Sequence, residues 1–191
     1  MFKDMYVKTE RLLIRPINVD DIQDFYEILS QEEVVEYLPE DVMSMEEVKE
    51  IISWLNDCYE KNTLENIIKF TVVIVHKENN KVIGWCGVGP LEYDPSDMEL
   101  FYGIRKEYWG KGIATEASKA MLHYGFDTIG LEKIVAVVKP ENVASKKVIE
   151  KIGMTYQKKI QNLPKKYSFY EGELYYSLSK GEYLKTVKGQ N

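Results

Sequence analysis

The stretch Glu99-Leu-Phe-Tyr-Gly-Ile-Arg-Lys-Glu-Tyr-Trp-Gly-Lys-Gly-Ile-Ala-Thr-Glu-Ala117 decides the fold of this chain. It predicts a short strand ending near Ile104, a loop with two glycines, and a helix beginning at about Ala114. Gly110 and Gly112 leave the loop backbone uncovered, so a ligand can approach its N–H groups closely. The first turn of a helix adds unpaired N–H groups and the positive end of the helix dipole. Together these features predict a site for a phosphate or pyrophosphate.

The glycine spacing excludes two familiar phosphate-binding loops. A P-loop requires Gly, four residues and then Gly-Lys-Ser or Gly-Lys-Thr, and the chain contains no such run. A dinucleotide fingerprint requires Gly-x-Gly-x-x-Gly, but Thr115 stands where its third glycine would be. By the residues alone, an ordinary strand-to-helix turn remains an equal alternative to a phosphate site.

Composition and charge exclude several classes of protein. The chain has 191 residues, of which 45% are hydrophobic and 29% charged, as expected for one globular domain over residues 1–191. The net charge of −6 argues against direct nucleic-acid binding, which requires a basic surface. No apolar run approaches the length of a membrane span, so we expect a cytoplasmic protein with no membrane partner.

Cysteines and histidines are too few to indicate a disulfide framework or a metal centre. Cys58 and Cys86 are the two cysteines, and their spacing fits neither arrangement. His76 and His123 stand alone in the sequence, and we interpret them as structural or surface residues. The sequence therefore predicts no metal.

Charged residues are distributed unevenly along the chain. Carboxylates crowd an early segment: Glu32, Glu33, Glu36, Glu40, Asp41, Glu46, Glu47 and Glu50. They are either solvated helix faces or a rim that attracts a cationic amine. Lysines crowd a later segment: Lys106, Lys111, Lys139, Lys146, Lys147 and Lys151. These either keep the surface soluble or neutralise phosphate groups.

Hydrophobic periodicity and capping residues predict alternating strands and helices. The predicted strands cover residues 11–17, 67–76, 82–89, 98–104, 134–138, 154–159 and 172–178. The predicted helices cover residues 18–30, 44–60, 114–129 and 143–152. Ser44-Met-Glu-Glu begins the second helix with a capping box, and residues 78–81 predict a hairpin turn. One mixed α/β domain is the expected result.

Three segments, in the expected order, resemble the GCN5-related N-acetyltransferases (GNAT). Trp-Gly-Lys-Gly-Ile-Ala at 109–114 is similar to that family's pyrophosphate loop, Gln/Arg-x-x-Gly-x-Gly/Ala, with Trp109 in the first position. Asn-Val-Ala-Ser at 142–145, followed by Gly-Met at 153–154, resembles the signature of the branch that acetylates ribosomal-protein N-termini, the Rim type. Thr-Glu-Arg-Leu-Leu-Ile-Arg-Pro at 9–16 is similar to the first strand of that branch. The resemblance covers a core of about residues 9–178.

The resemblance implies a fold and a co-substrate. It implies a central, mostly antiparallel twisted sheet, flanked by helices and splayed between the strands at 98–104 and 134–138. The pantetheine arm of acetyl-CoA would enter this gap and pair with the backbone like an added strand. The resemblance assigns acetyl-CoA binding to Ile104, Arg105, Trp109, Gly110, Lys111, Gly112, Ile113, Ala114, Thr115 and Asn142. Because Asn142 precedes a helix, a helix-capping role is the alternative.

Two residues are candidates for catalysis. Glu99 lies in an otherwise apolar strand, where a charge is costly unless it faces a cleft, and we interpret it as the base that deprotonates the amine. An edge or surface carboxylate is the alternative. Many family members protonate the leaving thiolate with a tyrosine, but Ile149 occupies that position here. The resemblance offers Ser145 instead, with a helix-surface or capping hydroxyl as its alternative. Phe101 replaces a usual glycine and adds bulk beside Glu99.

The sequence leaves the acceptor of the acetyl group open. The resemblance favours the α-amine of a protein N-terminus, attacked directly on acetyl-CoA without a covalent enzyme intermediate. A small-molecule amine, such as a polyamine or an aminoglycoside or other antibiotic, is the alternative enzyme substrate. A non-catalytic acyl-CoA-binding module is the alternative of another class. A homodimer also stays open, because no residue pattern fixes the oligomeric state.

Overall fold

The computed structural model describes residues 1–39 and 41–188, and its strands form one sheet in the order β1-β2-β3-β4-β5-β6-β8-β7. The strands are β1 Val7–Lys8, β2 Leu12–Pro16, β3 Phe70–His76, β4 Lys81–Leu91, β5 Asp94–Ile104, β6 Lys133–Val138, β7 Thr155–Lys159 and β8 Leu174–Ser179. Neighbouring strands are antiparallel, apart from β5 and β6, which run parallel. The predicted mixed α/β fold with a mostly antiparallel sheet is confirmed.

Six α-helices flank this sheet within the described residues. They are α1 Ile22–Leu29, α2 Glu32–Val35, α3 Met45–Lys61, α4 Ile113–His123, α5 Val143–Lys151 and α6 Lys180–Lys188. The predicted capping box is present at α3, where the Ser44 hydroxyl accepts from the Glu47 N–H and the Glu47 carboxylate accepts from the Ser44 N–H. The helix predicted over 114–129 is α4 followed by a π-helical turn, Tyr124–Ile129, which ends at Gly130 with φ +85°.

The centre of the sheet is buried because β3 and β4 are rich in β-branched and apolar side chains on both faces. Helices α1 and α3 pack on β4 and β3, and α4 packs on β4 and β5. Phe25 of α1 meets Trp85 of β4 edge to face, with ring centroids 5.5 Å apart. This core holds the middle strands rigid, so that a site at the end of β5 has a fixed support.

The sheet splays between β5 and β6. A single residue pair, Glu99 with Val135, joins the two strands, and β6 then pairs with β8 along its whole length. Because the strands are parallel, their C-terminal ends at Ile104 and Val138 lie on the same side of that pair. The two strands separate toward these ends, where no further residue pair joins them in the described chain. The splay predicted between residues 98–104 and 134–138 is confirmed, and it places Glu99 at its closed end.

Several elements differ from the predictions for local reasons. Strand β5 begins at Asp94, four residues before its predicted start, because Asp94 to Met98 pair with β4 although their pattern is polar. Strand β1 and helix α2 are too short to show a period, and α6 carries only a weak apolar face. In the described part of the chain, no helix is long and apolar enough to span a membrane.

Candidate active site

A cleft of about 1090 Å³ opens where β5 and β6 separate. Its walls are the C-terminal halves of those two strands, the loop before α4, the first turn of α5, one side of α3 and the segment that leads into β8. Of the twelve predicted site residues, ten line this cleft: Glu99, Ile104, Trp109, Gly110, Gly112, Ile113, Ala114, Thr115, Asn142 and Ser145. The splay and the glycine loop thus belong to one cavity.

The glycine loop has the backbone of an anion cradle. Gly110 and Gly112 have φ of +73° and +77°, the left-handed region that favours glycine. Gly112 is the N-cap of α4 and supplies no side-chain acceptor to the first-turn N–H groups. A Cβ on Gly110 would meet no atom within 4 Å, so the backbone is open on that side. The main-chain donors of the first turn are therefore available to an anionic ligand.

Trp109 ties the loop to the strand before it. Its indole Nε1 donates to the carbonyl oxygen of Ile104 at 2.6 Å. The ring is half exposed and lines the cleft beside the glycines. A neutral side chain that braces the loop explains why this position does not need the charged or amide residue of the family pattern.

Arg11 anchors the loop from outside the cleft, a role that the sequence did not reveal. Its Nη1 donates to the Lys111 carbonyl at 2.7 Å, and its Nε donates to Glu116 at 2.7 Å. Glu116 also accepts from the Thr9 hydroxyl at 2.6 Å. Burial acts to raise the pKa of Glu116, but these hydrogen bonds hold it below its ordinary value. No local pattern links residues 9–11 to residue 116, because β2 and α4 meet only in the tertiary fold.

Arg105 and Lys111 are the two predicted site residues that do not line the cleft. The Arg105 guanidinium turns to α1 and donates to Glu27 at 3.1 Å and to the Asp24 carbonyl at 3.3 Å. The Lys111 ammonium lies 5.2 Å from the centre of the Tyr108 ring. The backbones of both residues belong to the loop region, but the Arg105 guanidinium contacts α1 and the Lys111 ammonium contacts Tyr108.

Asn142 is the N-cap of α5, Ser145 lies in its first turn, and both residues line the cleft. The Asn142 Oδ1 accepts from the Ser145 N–H at 3.0 Å, so the capping interpretation of Asn142 is correct. Its side-chain amide nitrogen takes no part in that bond. Ile149 is buried one turn further on and offers no proton. The Tyr102 hydroxyl donates to the Ser145 carbonyl at 3.2 Å, and burial raises the pKa of this phenol to about 12.

Glu99 stands at the closed end of the cleft. It pairs with Gly89 of β4 on one side and with Val135 of β6 on the other. Burial raises the pKa of Glu99 to about 7, the Lys69 ammonium acts to lower it, and Glu173 and Glu92 act to raise it further. A carboxyl group with a pKa near neutrality is suited to take a proton from an amine at physiological pH.

Two glycines of β4 make room for side chains beside Glu99. The aliphatic stem of Lys69 crosses Gly89, where a Cβ would lie 2.9 Å from the Lys69 Cδ. The Phe101 ring covers Gly87, where a Cβ would lie 2.7 Å from the ring. The Lys69 ammonium sits 4.0 Å from the centre of the Phe101 ring. The bulk of Phe101 therefore fits where Gly87 has no side chain, and the ring lines the cleft.

Two further carboxylates face the cleft, and sequence reasoning missed both. Glu92 accepts from the Tyr170 hydroxyl at 2.8 Å. Glu173 lies at the entrance to β8 and is 4% exposed, and burial raises its pKa to about 7. Neither residue belongs to a recognisable motif, and β8 reaches this place only because it pairs with β6.

The early carboxylates are placed differently from these. Glu33 and Glu36 line the cleft, with Glu33 paired to Lys106 at 2.6 Å. Asp41, Glu47 and Glu50 line a separate surface hollow of about 490 Å³ beside Trp54. Glu32 and Glu46 are exposed, and Glu40 lies outside the described residues. Most of this group is thus a solvated surface, whereas the carboxylates at the base of the cleft are Glu92, Glu99 and Glu173.

The later lysines also divide between the surface and the cleft. Lys139, Lys147 and Lys151 line the cleft, and the Lys139 ammonium lies 3.9 Å from the centre of the Phe169 ring. Lys106 and Lys111 make the contacts given above. Over residues 1–39 and 41–188, no three His, Cys, Asp or Glu side chains come together in a way that could hold a metal ion.

Comparison with known proteins identifies the family. Residues 11–155 match the acetyltransferase (GNAT) domain. The chain is 32% identical over 179 residues to the uncharacterized N-acetyltransferase YnaD of Bacillus subtilis, covering 94% of this chain and 99% of that protein. It is 24% identical over 144 residues to the spermidine N(1)-acetyltransferase of Escherichia coli K12, covering 75% and 73% of the two chains.

A solved structure shows the same fold. The crystal structure of ribosomal-protein-S5-alanine acetyltransferase from Vibrio fischeri superposes with a TM-score of 0.72. It is 21% identical in sequence, and the match covers 94% of this chain and 99% of that one. At this identity the likeness concerns the fold.

Proposed function

Since this chain belongs to the GNAT acetyltransferases and is an acetyl-CoA-dependent N-acetyltransferase, we propose that it acetylates a primary amine that enters the cleft as a cation. The observation that carries this proposal is the set of carboxylates at the base of the cleft, Glu92, Glu99 and Glu173. Clustered carboxylates attract ligands of the opposite charge, and Lys69 and Lys139 offset part of the negative charge here. We also propose that residues 1–191 form one acetyltransferase domain, with its core at about residues 9–178.

The open loop backbone supports the assignment of the acetyl-CoA phosphates to residues 109–115. Gly110 and Gly112 leave main-chain donors uncovered, and Lys147 and Lys151 line the same cleft on α5. The loop and Glu99 line one cleft at the gap between β5 and β6, and in this proposal the pantetheine arm occupies that gap. Acetyl-CoA, when bound there, supplies an acetyl group on a thioester.

Residues of the chain then remove a proton from the amine and position the reacting groups. Glu99, as a carboxylate, attracts the ammonium and takes one of its protons, which leaves a neutral amine able to attack directly. Asn142 caps the start of α5 through its Oδ1 and lines the same cleft. Ser145 lines the cleft, and in this proposal its hydroxyl donates to the sulfur as negative charge develops there, a role that buried Ile149 cannot fill.

The acceptor belongs to one of two classes. The Rim-type resemblance supports the α-amine of a protein N-terminus. The carboxylate lining supports a small cationic amine, and the E. coli relative named above is a spermidine acetyltransferase.

Release of free CoA with a panel of acceptors tests this function. The panel contains peptides with free N-terminal Ala or Ser, the same peptides with acetylated N-termini, aliphatic amines and an aminoglycoside. We expect release with at least one free amine and none with the blocked peptides. Tight CoA binding without release for any amine would contradict the proposal and indicate a non-catalytic acyl-CoA-binding module.

A further inference from the structure

Glu173 differs from the other buried carboxylates of the described chain. Asp21, 4% exposed, accepts two hydrogen bonds of 2.7 Å from Arg15. Asp97, 7% exposed, accepts from Tyr175 and pairs with Lys133. Glu173, 4% exposed, has no side-chain hydrogen bond and no ion pair with any residue the structure describes. A nearly buried carboxylate without a protein partner is costly unless the cleft that it lines supplies a partner.

The backbone holds Glu173 in place. Its N–H donates to the Tyr170 carbonyl at 3.1 Å, and its carbonyl accepts from the Ile160 N–H at 2.8 Å. These bonds fix the residue at the entrance to β8, and its side chain lines the cleft. The position of the Glu173 backbone therefore does not depend on a side-chain contact.

The nearest candidate cation of the protein is engaged elsewhere. Lys139 follows Val138, which pairs with Leu174, so Lys139 stands opposite Glu173 across β6 and β8. Its ammonium lies over the Phe169 ring at 3.9 Å and not within 4 Å of Glu173. Lys139 acts to lower the pKa of Glu173 through its charge but forms no ion pair with it, so direct contact with the carboxylate is left to a ligand.

Glu99 and Glu173 line the same cleft on opposite sides of the splay, because β5 carries the first and β8, through β6, the second. Aromatic side chains, Phe101, Phe169 and Tyr170, line the wall around them. Lys69 and Lys139 already lie over the rings of Phe101 and Phe169, so a ligand's ammonium is left with the carboxylates, while a methylene chain prefers the apolar wall. The surface matches a molecule with two amines joined by an aliphatic spacer.

We propose that Glu173 binds a second ammonium group of the acceptor, so that the enzyme prefers diamines to monoamines. This inference rests on the proposed function and specifies the acceptor of the same site. The amine at Glu99 is acetylated, and the amine at Glu173 stays charged and fixes the acceptor's position. Glu173 is therefore a specificity residue that touches the acceptor away from the reacting atoms.

Matched pairs of n-alkylamines and α,ω-diaminoalkanes with three to eight carbons test the inference, with free CoA release as the readout. For at least one length, we expect kcat/KM of the diamine to exceed that of the equal-length monoamine about tenfold, the effect of one good charged hydrogen bond. Glu173→Gln should bring this ratio close to one, because diamine kcat/KM falls more than monoamine kcat/KM, and CoA affinity should stay unchanged. Glu132→Gln, on the surface, is the matched control and should keep the preference.

Glu173→Asp separates binding from folding. Because it keeps the charge on a shorter stem, it should retain a diamine preference that moves to longer spacers. Equal rates for monoamines and diamines at every length, or an equal loss for both in Glu173→Gln, would overturn this inference while leaving the proposed function intact. CoA binding with no release for any amine would overturn both together.

Discussion

Lys69 and Glu99 lie in one row across the sheet, separated only by Gly89, which pairs with Glu99 and carries the Lys69 stem. Phe70 pairs with Val88, which places the preceding Lys69 opposite Gly89. The Lys69 ammonium acts to lower the pKa of Glu99, against burial that raises it to about 7. Because Gly89 has no side chain, Lys69, the residue before β3, can lower the pKa of Glu99 on β5.

Lys69→Met should shift the acidic limb of the pH profile of kcat/KM to higher pH. Without the ammonium, the pKa of Glu99 rises further above 7, so less carboxylate is present at neutral pH and the rate there falls. Lys69→Arg keeps the charge and should leave the limb close to its original position. Identical profiles for parent and Lys69→Met would show that the two side chains do not interact.

Glu99→Gln should lower kcat/KM for the acceptor by roughly 10²- to 10⁴-fold, the usual contribution of a general base. CoA affinity should stay nearly the same, because the glycine loop lies at the other end of the cleft. If Glu99 acts only by charge attraction, the loss appears mainly in the acceptor KM and shrinks with added salt. An acidic limb that persists in Glu99→Gln would remove it as the base.

Gly112→Asp should weaken CoA binding more than Gly112→Asn does. Both variants place a side chain at a position with φ +77°, so the backbone strain is comparable, and they differ in one negative charge facing the phosphates. We expect about tenfold between them by calorimetric titration, as for a charge at a helix N-terminus. Lys111→Ala should cost little, since its ammonium lies over Tyr108. Equal affinity of Gly112→Asp and the parent protein would contradict the cradle.

Ser145→Ala should reduce kcat about tenfold, or about 1.4 kcal/mol, with little change in either KM. The cap on α5 survives the substitution because Asn142 bonds the Ser145 backbone N–H. Tyr102→Phe is the comparison variant, because it removes the Tyr102 hydroxyl that donates to the Ser145 carbonyl. If kcat stays unchanged where chemistry limits turnover, water protonates the thiolate and Ser145 serves α5 alone.

Glu173→Gln should make the protein without acceptor more stable at pH 8. Burial raises the pKa of Glu173 from 4.5 to about 7, so its contribution to stability is fully present below pH 4.5 and is lost as the pH rises through 7. Glutamine avoids the buried charge, which is worth up to about 3 kcal/mol at 1.36 kcal/mol for each pKa unit. Thermal unfolding at pH 4.5 and pH 8 measures the difference. Greater stability of the parent at pH 8 would show that Glu173 has a protein partner.

The sequence by itself determined the strand, loop and helix that hold the cradle, because these depend on neighbours in the chain. Glycines at 110 and 112 permit positive φ, Ser44 and Glu47 cap α3, and β-branched runs form β3 and β4. The family pattern then located the splay and Glu99. Each of these sequence patterns lies within one segment of a few residues, so it can be recognised without the tertiary structure.

Only the tertiary structure decided which charges face the acceptor. Glu173 reaches the cleft because β8 pairs with β6, and Lys69 reaches Glu99 because Gly89 lies between them. Arg11 braces the cradle through Glu116, which is far away in the chain. Arg105 was expected at the site, but α1 offers it carboxylates in another direction. Strand order and register bring distant side chains together, and no local pattern records them.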